Sequence, residues 1–138
     1  NEGTKNCCRR TDQPVGALLT DLKQRGLLDS TLVLWGGEFG RTPAAEQRHA
    51  KTAYGRDHHP DGVCVWLAGG GSRGGRHAGA PDDFGKRAVE NRTQTANLHA
   101  TILPLLGLDH ELLTWHHNGR DERLTDVYPA QVSHELIA

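Results

Sequence analysis

Three stretches of the sequence carry side chains able to do chemistry. The densest is Arg56-Asp57-His58-His59. Imidazole beside carboxylate suits a divalent ion such as zinc, manganese or iron. Adjacent His side chains diverge on extended backbone, so one is expected as a ligand while the other serves a partner or an outer shell. The plain alternative is a polar loop with exposed histidines. A second candidate is Glu38 with Arg41, in Gly36-Gly37-Glu38-Phe39-Gly40-Arg41-Thr42-Pro43. A carboxylate there can bind a divalent cation, and an Arg can grip sulfate or phosphate through two parallel hydrogen bonds. From this loop alone, a Glu–Arg surface pair is the better account. The third is the Gly-rich loop 69–75 with Ser72 and Arg73. Such a loop can aim backbone N–H groups at an anion. It carries neither a P-loop pattern nor a nucleophile elbow, so a flexible turn is the default expectation. Among other histidines, His99 is expected to pack or cap on a helix and His116-His117 to lie in a surface loop. His49, His77, His110 and His134 have no evident partners.

These candidates need elements to position them. Residues 1–11 carry no pattern and read as a disordered or linking tail. Asp12 then offers an N-cap, with Pro14 in the first turn. Val15, Leu18, Leu19 and Leu22 follow at helical spacing, and Gly26 supplies the stop. Thr31-Leu32-Val33-Leu34-Trp35 is a continuous apolar run suited to a strand buried on both faces, as in a parallel sheet. Residues 63–68 form a second such run, with Cys64 as a small buried hydrophobe. Helix, turn, buried strand and Gly-rich loop alternate as in a doubly wound sheet, where ligands bind beyond the carboxyl ends of strands. Residues 44–62 read as irregular. The chain from Gly75 to about Asn91 reads as loop with a short hairpin. Asn97 can cap a helix through Leu98, Ile102, Leu105 and Leu106, closed by Gly107 and shortened or kinked by Pro104. Residues 129–137 are expected to form a terminal helix.

Composition sets further bounds. The 138 residues allow one compact domain. Net charge is −1, from 16 basic and 17 acidic residues, so no nucleic-acid partner is expected. No apolar run is long enough for a transmembrane helix. Three Cys, two of them adjacent (Cys7 and Cys8), do not make a disulfide framework. The chain holds no Met. A fragment of a longer protein is therefore expected, which leaves export of the parent to the periplasm or beyond open.

The order and spacing of several motifs resemble a bacterial sulfatase-like family of unknown function, the domain-of-unknown-function family fifteen-oh-one. They are the run 31–43, Gly55-Arg56-Asp57-His58-His59-Pro60, Trp66-Leu67-Ala68-Gly69-Gly70-Gly71 and Ala88-Val89-Glu90-Asn91. Leu98-His99-Ala100-Thr101-Ile102-Leu103 and Gly119-Arg120-Asp121 complete the set. That family is similar to the sulfatases of the alkaline phosphatase superfamily. The resemblance implies the C-terminal part of a large α/β sandwich with a mostly parallel sheet, spanning residues 12–138. It also implies hydrolysis of sulfate or phosphate esters at a one- or two-metal site, the nucleophile lying in an N-terminal half outside this chain. The piece alone is then expected to be inactive.

Carried over residue by residue, Glu38 falls where the superfamily has an acidic metal ligand. Phe39 falls where it has His or Asn, and Phe cannot bind a metal. His58 or His59 resembles the metal-binding His that precedes a similar strand in related phosphotransferases. The residues 97–103 look like a structural segment of sulfatases, with Asn97 in place of an Asp cap. The implied site therefore uses Glu38, Asp57, His58 and His59 for a divalent metal (zinc, calcium or manganese), with Arg41 and Arg56 as catalytic cations on the substrate anion. The departure at Phe39 motivates an alternative: a non-enzymatic, sulfatase-like scaffold that binds carbohydrate or another partner.

Overall fold

The computed structural model describes residues 2–46 and 55–138, so His49 lies outside the described residues. In chain order the elements are α1 (Glu2–Gln24), β1 (Val33–Gly36), β2 (Gly40–Glu46), β3 (Gly55–His59) and β4 (Val65–Ala68). Then come β5 (Ala80–Pro81), β6 (Ala88–Glu90), α2 (Thr95–Leu105), β7 (Thr114–His117) and β8 (Arg120–Arg123). Single 3-10 turns occupy Leu28–Ser30 and His134–Leu136.

The helix α1 starts at Glu2, well before the expected cap at Asp12. Apart from Gly3, nothing between Glu2 and Gln13 opposes a helix, and the Thr11 hydroxyl donates to the carbonyl of Cys7 one turn back. Pro14 is thus interior, where its ring costs one backbone hydrogen bond without ending the helix. Val15, Leu19 and Leu22 are half-buried, yet no residue of α1 is fully buried.

The mostly parallel α/β sandwich is overturned. Every sheet among the described residues is a two-stranded antiparallel ribbon: β1 with β4, β2 with β3, β5 with β6, β7 with β8. A parallel pair needs a crossover, usually helical, that returns the chain to the same end of the sheet. The described part of the connection from β1 to β4 is instead the β2–β3 ribbon. The chain re-enters from the opposite direction, and β4 runs antiparallel to β1 with Val33 opposite Ala68 and Trp35 opposite Trp66. Two strands cannot cover both of their own faces. Leu34, Trp35 and Trp66 therefore keep 44, 43 and 37% of their surface exposed, and Cys64 is exposed rather than buried. The Trp35 and Trp66 rings stack at 6.3 Å, an interplanar angle of 13°.

The buried residues gather around α2. Ala100 and Leu103 are its apolar members, with Thr101 and Thr125 beside them. Gln94, in extended conformation, precedes the helix where Asn97 was expected to cap it. Asn97 instead sits in the first turn, and its side-chain oxygen accepts from the backbone of Gln131 at 3.2 Å. One turn on, the Thr101 hydroxyl donates to Asn97 at 2.7 Å and accepts from Ser133 N–H at 3.0 Å. These bonds hold residues 131–133 against α2. They draw the tail out of the expected terminal helix, of which one 3-10 turn remains. Gly107, with φ of 74°, ends α2 as expected: its N–H donates to Pro104 and that of Leu108 to Leu103, both at 2.9 Å.

The expected short hairpin before Asn91 is β5–β6. The loop containing His116-His117 is a regular hairpin instead. Asn118 and Gly119, at φ of 49° and 75°, make its two-residue turn.

Candidate functional site

Antiparallel pairing of β2 with β3 brings the first two sequence candidates together. Gly40 lies opposite His59 and Arg41 opposite His58. The approach is close: a Cβ on Gly40 would overlap the carbonyl oxygen of Gly62. Only glycine fits there, which gives the sequence Glu38-Phe39-Gly40-Arg41 a steric reason. Glu38, in the bend before β2, then reaches His58 on β3, its Oε1 lying 3.1 Å from Nδ1. The ionised carboxylate can only accept, so His58 Nδ1 donates and Nε2 is the outward ring atom. Phe39 lies against the same imidazole, ring centroids 5.6 Å apart at 52°. The pair is exposed, 49 and 64% for the His58 and Glu38 side chains, so it orients the ring more than it stabilises the fold.

The Glu–Arg surface pair read from the loop alone does not form. Glu38 turns to His58, and Arg41 Nη1 donates to the carbonyl of Arg56 at 3.4 Å. Thr42 knits the strands together, its hydroxyl donating to Ala44 at 2.9 Å and accepting from Asp57 N–H at 3.1 Å. Asp57 accepts the N–H of His58 on Oδ1 at 2.8 Å.

His59 points elsewhere. Its Nε2 lies 2.6 Å from the carbonyl oxygen of Lys86, in the loop between β5 and β6. The two adjacent histidines thus diverge: His58 joins Glu38, and His59 joins the β5–β6 loop. The sequence candidates do not converge on one point. A catalytic zinc site takes three protein ligands and calcium six or more oxygens. No group of three His, Cys, Asp or Glu side chains able to hold a metal occurs among the described residues. Glu38 and His58 supply two donors, too few for a metal ion by themselves.

The Gly-rich loop after β4 is committed internally. Gly70 N–H donates to Leu28 and Ser72 N–H to Gly69, both at 2.9 Å, and the Ser72 hydroxyl donates to Gly69 at 2.7 Å. It is a packed corner, with neither a nucleophile nor an anion cradle among these groups.

Sequence reasoning missed two groups. One is Asp82, whose Oδ1 accepts Lys86 N–H at 2.7 Å. This backbone hydrogen bond is the main reason its carboxyl lies below its usual range. The signal was present in Asp82-Asp83-Phe84-Gly85, an Asp at the first and a Gly at the fourth position of a turn. The other is His116, whose Nδ1 lies 2.7 Å from Asp121 Oδ1 directly across the β7–β8 hairpin. There the signal was Asn118-Gly119.

No helix among the described residues is long and apolar enough to cross a membrane. No curated protein and no solved structure matches the chain. The family model described as "Protein of unknown function (DUF1501)" matches residues 1–137. With nearly every residue inside that match, the chain belongs to the DUF1501 family.

Proposed function

We propose that this chain contributes to hydrolysis of sulfate or phosphate esters, through kinship of its sequence motifs with the sulfatases of the alkaline phosphatase superfamily. The observation that carries the reading is the 3.1 Å contact between Glu38 and His58. A carboxylate on one ring nitrogen orients an imidazole and leaves the other nitrogen to move a proton. Arg41, opposite His58 on the paired strand, and Arg56, two residues before it in sequence, are the cations this reading assigns to the ester anion. The Thr42 hydroxyl on β2 is engaged in both directions, so the reading takes its nucleophile from outside the described residues. A zinc, calcium or manganese ion would need donors beyond Glu38 and His58.

Turnover of an aryl phosphate and an aryl sulfate by the intact protein that supplies the nucleophile tests this, unsubstituted and in Glu38→Ala and His58→Asn, with each metal supplied. The expected result is a fall of about a hundredfold or more in both variants. No turnover of either ester, or equal turnover in the variants, overturns it. A carbohydrate-binding scaffold is the second reading. Phe39 favours it, as an aromatic 45% exposed at the head of the same loop, and glycan binding without ester turnover would decide for it.

A further inference from the structure

We infer that Asp82 is a positioning residue for His59, acting through the backbone of Lys86. Two links make the relay. The Asp82 carboxylate accepts Lys86 N–H at 2.7 Å, and the carbonyl of Lys86 lies 2.6 Å from His59 Nε2. A carbonyl can only accept, so Nε2 must carry the proton and Nδ1 of the neutral ring keeps the lone pair. The tautomer of His59 is thereby set by a residue 23 positions away in sequence.

The β5–β6 loop is held in place for this. Gly85 N–H closes back on Asp82 at 2.8 Å, and Asp82 N–H donates to Arg87 at 2.8 Å. Just past His59, the Asp61 carbonyl accepts Ala88 N–H at 2.9 Å, and its carboxylate lies 3.8 Å from Arg87 Nε. The turn after β3 is thus tied to the loop just past Lys86, at Arg87 and Ala88. The Lys86 side chain takes no part in the relay; its main-chain N–H and carbonyl, on either side of Cα, do. His58 is oriented by a side chain through Nδ1, and His59 by a main-chain carbonyl through Nε2. The two neighbouring rings therefore present opposite nitrogens. The fixing of this ring by Asp82 does not rest on the ester-hydrolase reading, which uses His58.

The test is ring 1H–15N spectroscopy of the 138-residue chain. In the unsubstituted chain His59 is expected as the Nε2–H tautomer with a slowly exchanging ring proton. Asp82→Ala is expected to speed that exchange by about tenfold or more, as the loop opens locally. Asp82→Asn keeps an oxygen acceptor, and Lys86→Ala keeps the carbonyl, so both are expected to stay within about twofold of the unsubstituted chain. Exchange unaltered by Asp82→Ala, or equally fast in Lys86→Ala, overturns the relay. So does an Nδ1–H tautomer in the unsubstituted chain, whatever Asp82→Ala does to folding. Ester turnover plays no part in this readout, so its failure and that of the hydrolase reading are separable.

Discussion

Gly40 and Gly62 approach so closely that a Cβ on the first would overlap the carbonyl oxygen of the second. This contact sets the end of the β2–β3 ribbon, where Arg41 stands opposite His58. Gly40→Ala must push the strands apart, at a cost of about 3 kcal/mol. Hydrogen exchange of the β2 and β3 amides is the measurement, and protection is expected to fall there while α2 amides keep theirs.

The stacked Trp35 and Trp66 rings join β1 to β4. Trp35→Ala removes a contact worth about 0.5–1.5 kcal/mol beyond area burial. Near-UV circular dichroism is expected to lose the signature of coupled indoles. In a double-mutant cycle with Trp66→Ala, the two losses should not add.

Asn118 holds φ of 49° in the β7–β8 turn. Asn118→Val forces a β-branched residue into the left-handed region and is expected to cost about 1–2 kcal/mol. Asn118→Gly is expected to be nearly neutral. Cross-strand NOEs between Trp115 and Glu122, which face each other in register, distinguish the two.

The Asp82 loop should loosen in acid. Its carboxyl is held below its ordinary value of 3.8, chiefly by Lys86 N–H. A depressed folded pKa gives stabilisation that is present above 3.8 and is lost as pH falls through the lower folded value. Exchange of the Lys86 amide is expected to accelerate over that window, and Asp82→Asn is expected to abolish the dependence.

Local features were legible in the sequence where a residue type has one conformational use. Gly107 ended α2, and the apolar runs became β1 and β4. Strand direction was not legible. Continuous apolar runs suggest burial on both faces and hence a parallel sheet, but the same runs serve an antiparallel ribbon whose faces stay open, as Leu34 and Trp35 do. The helix start was hidden because a polar segment without breakers has no obvious boundary, so α1 ran back to Glu2. Within the site, the divergence of His58 from His59 followed from strand geometry. Their partners depended on long-range pairing: Glu38 arrives through the β2–β3 register and the Lys86 carbonyl through the β5–β6 loop.

The central claim is that β2–β3 pairing delivers Glu38 to His58. The most direct measurement is the ring 1H–15N spectrum of His58 in the unsubstituted chain and in Glu38→Ala. A hydrogen-bonded Nδ1–H that disappears in the variant, while the His116 signal bonded to Asp121 persists, is the result expected. A His58 ring spectrum identical in both chains would contradict it.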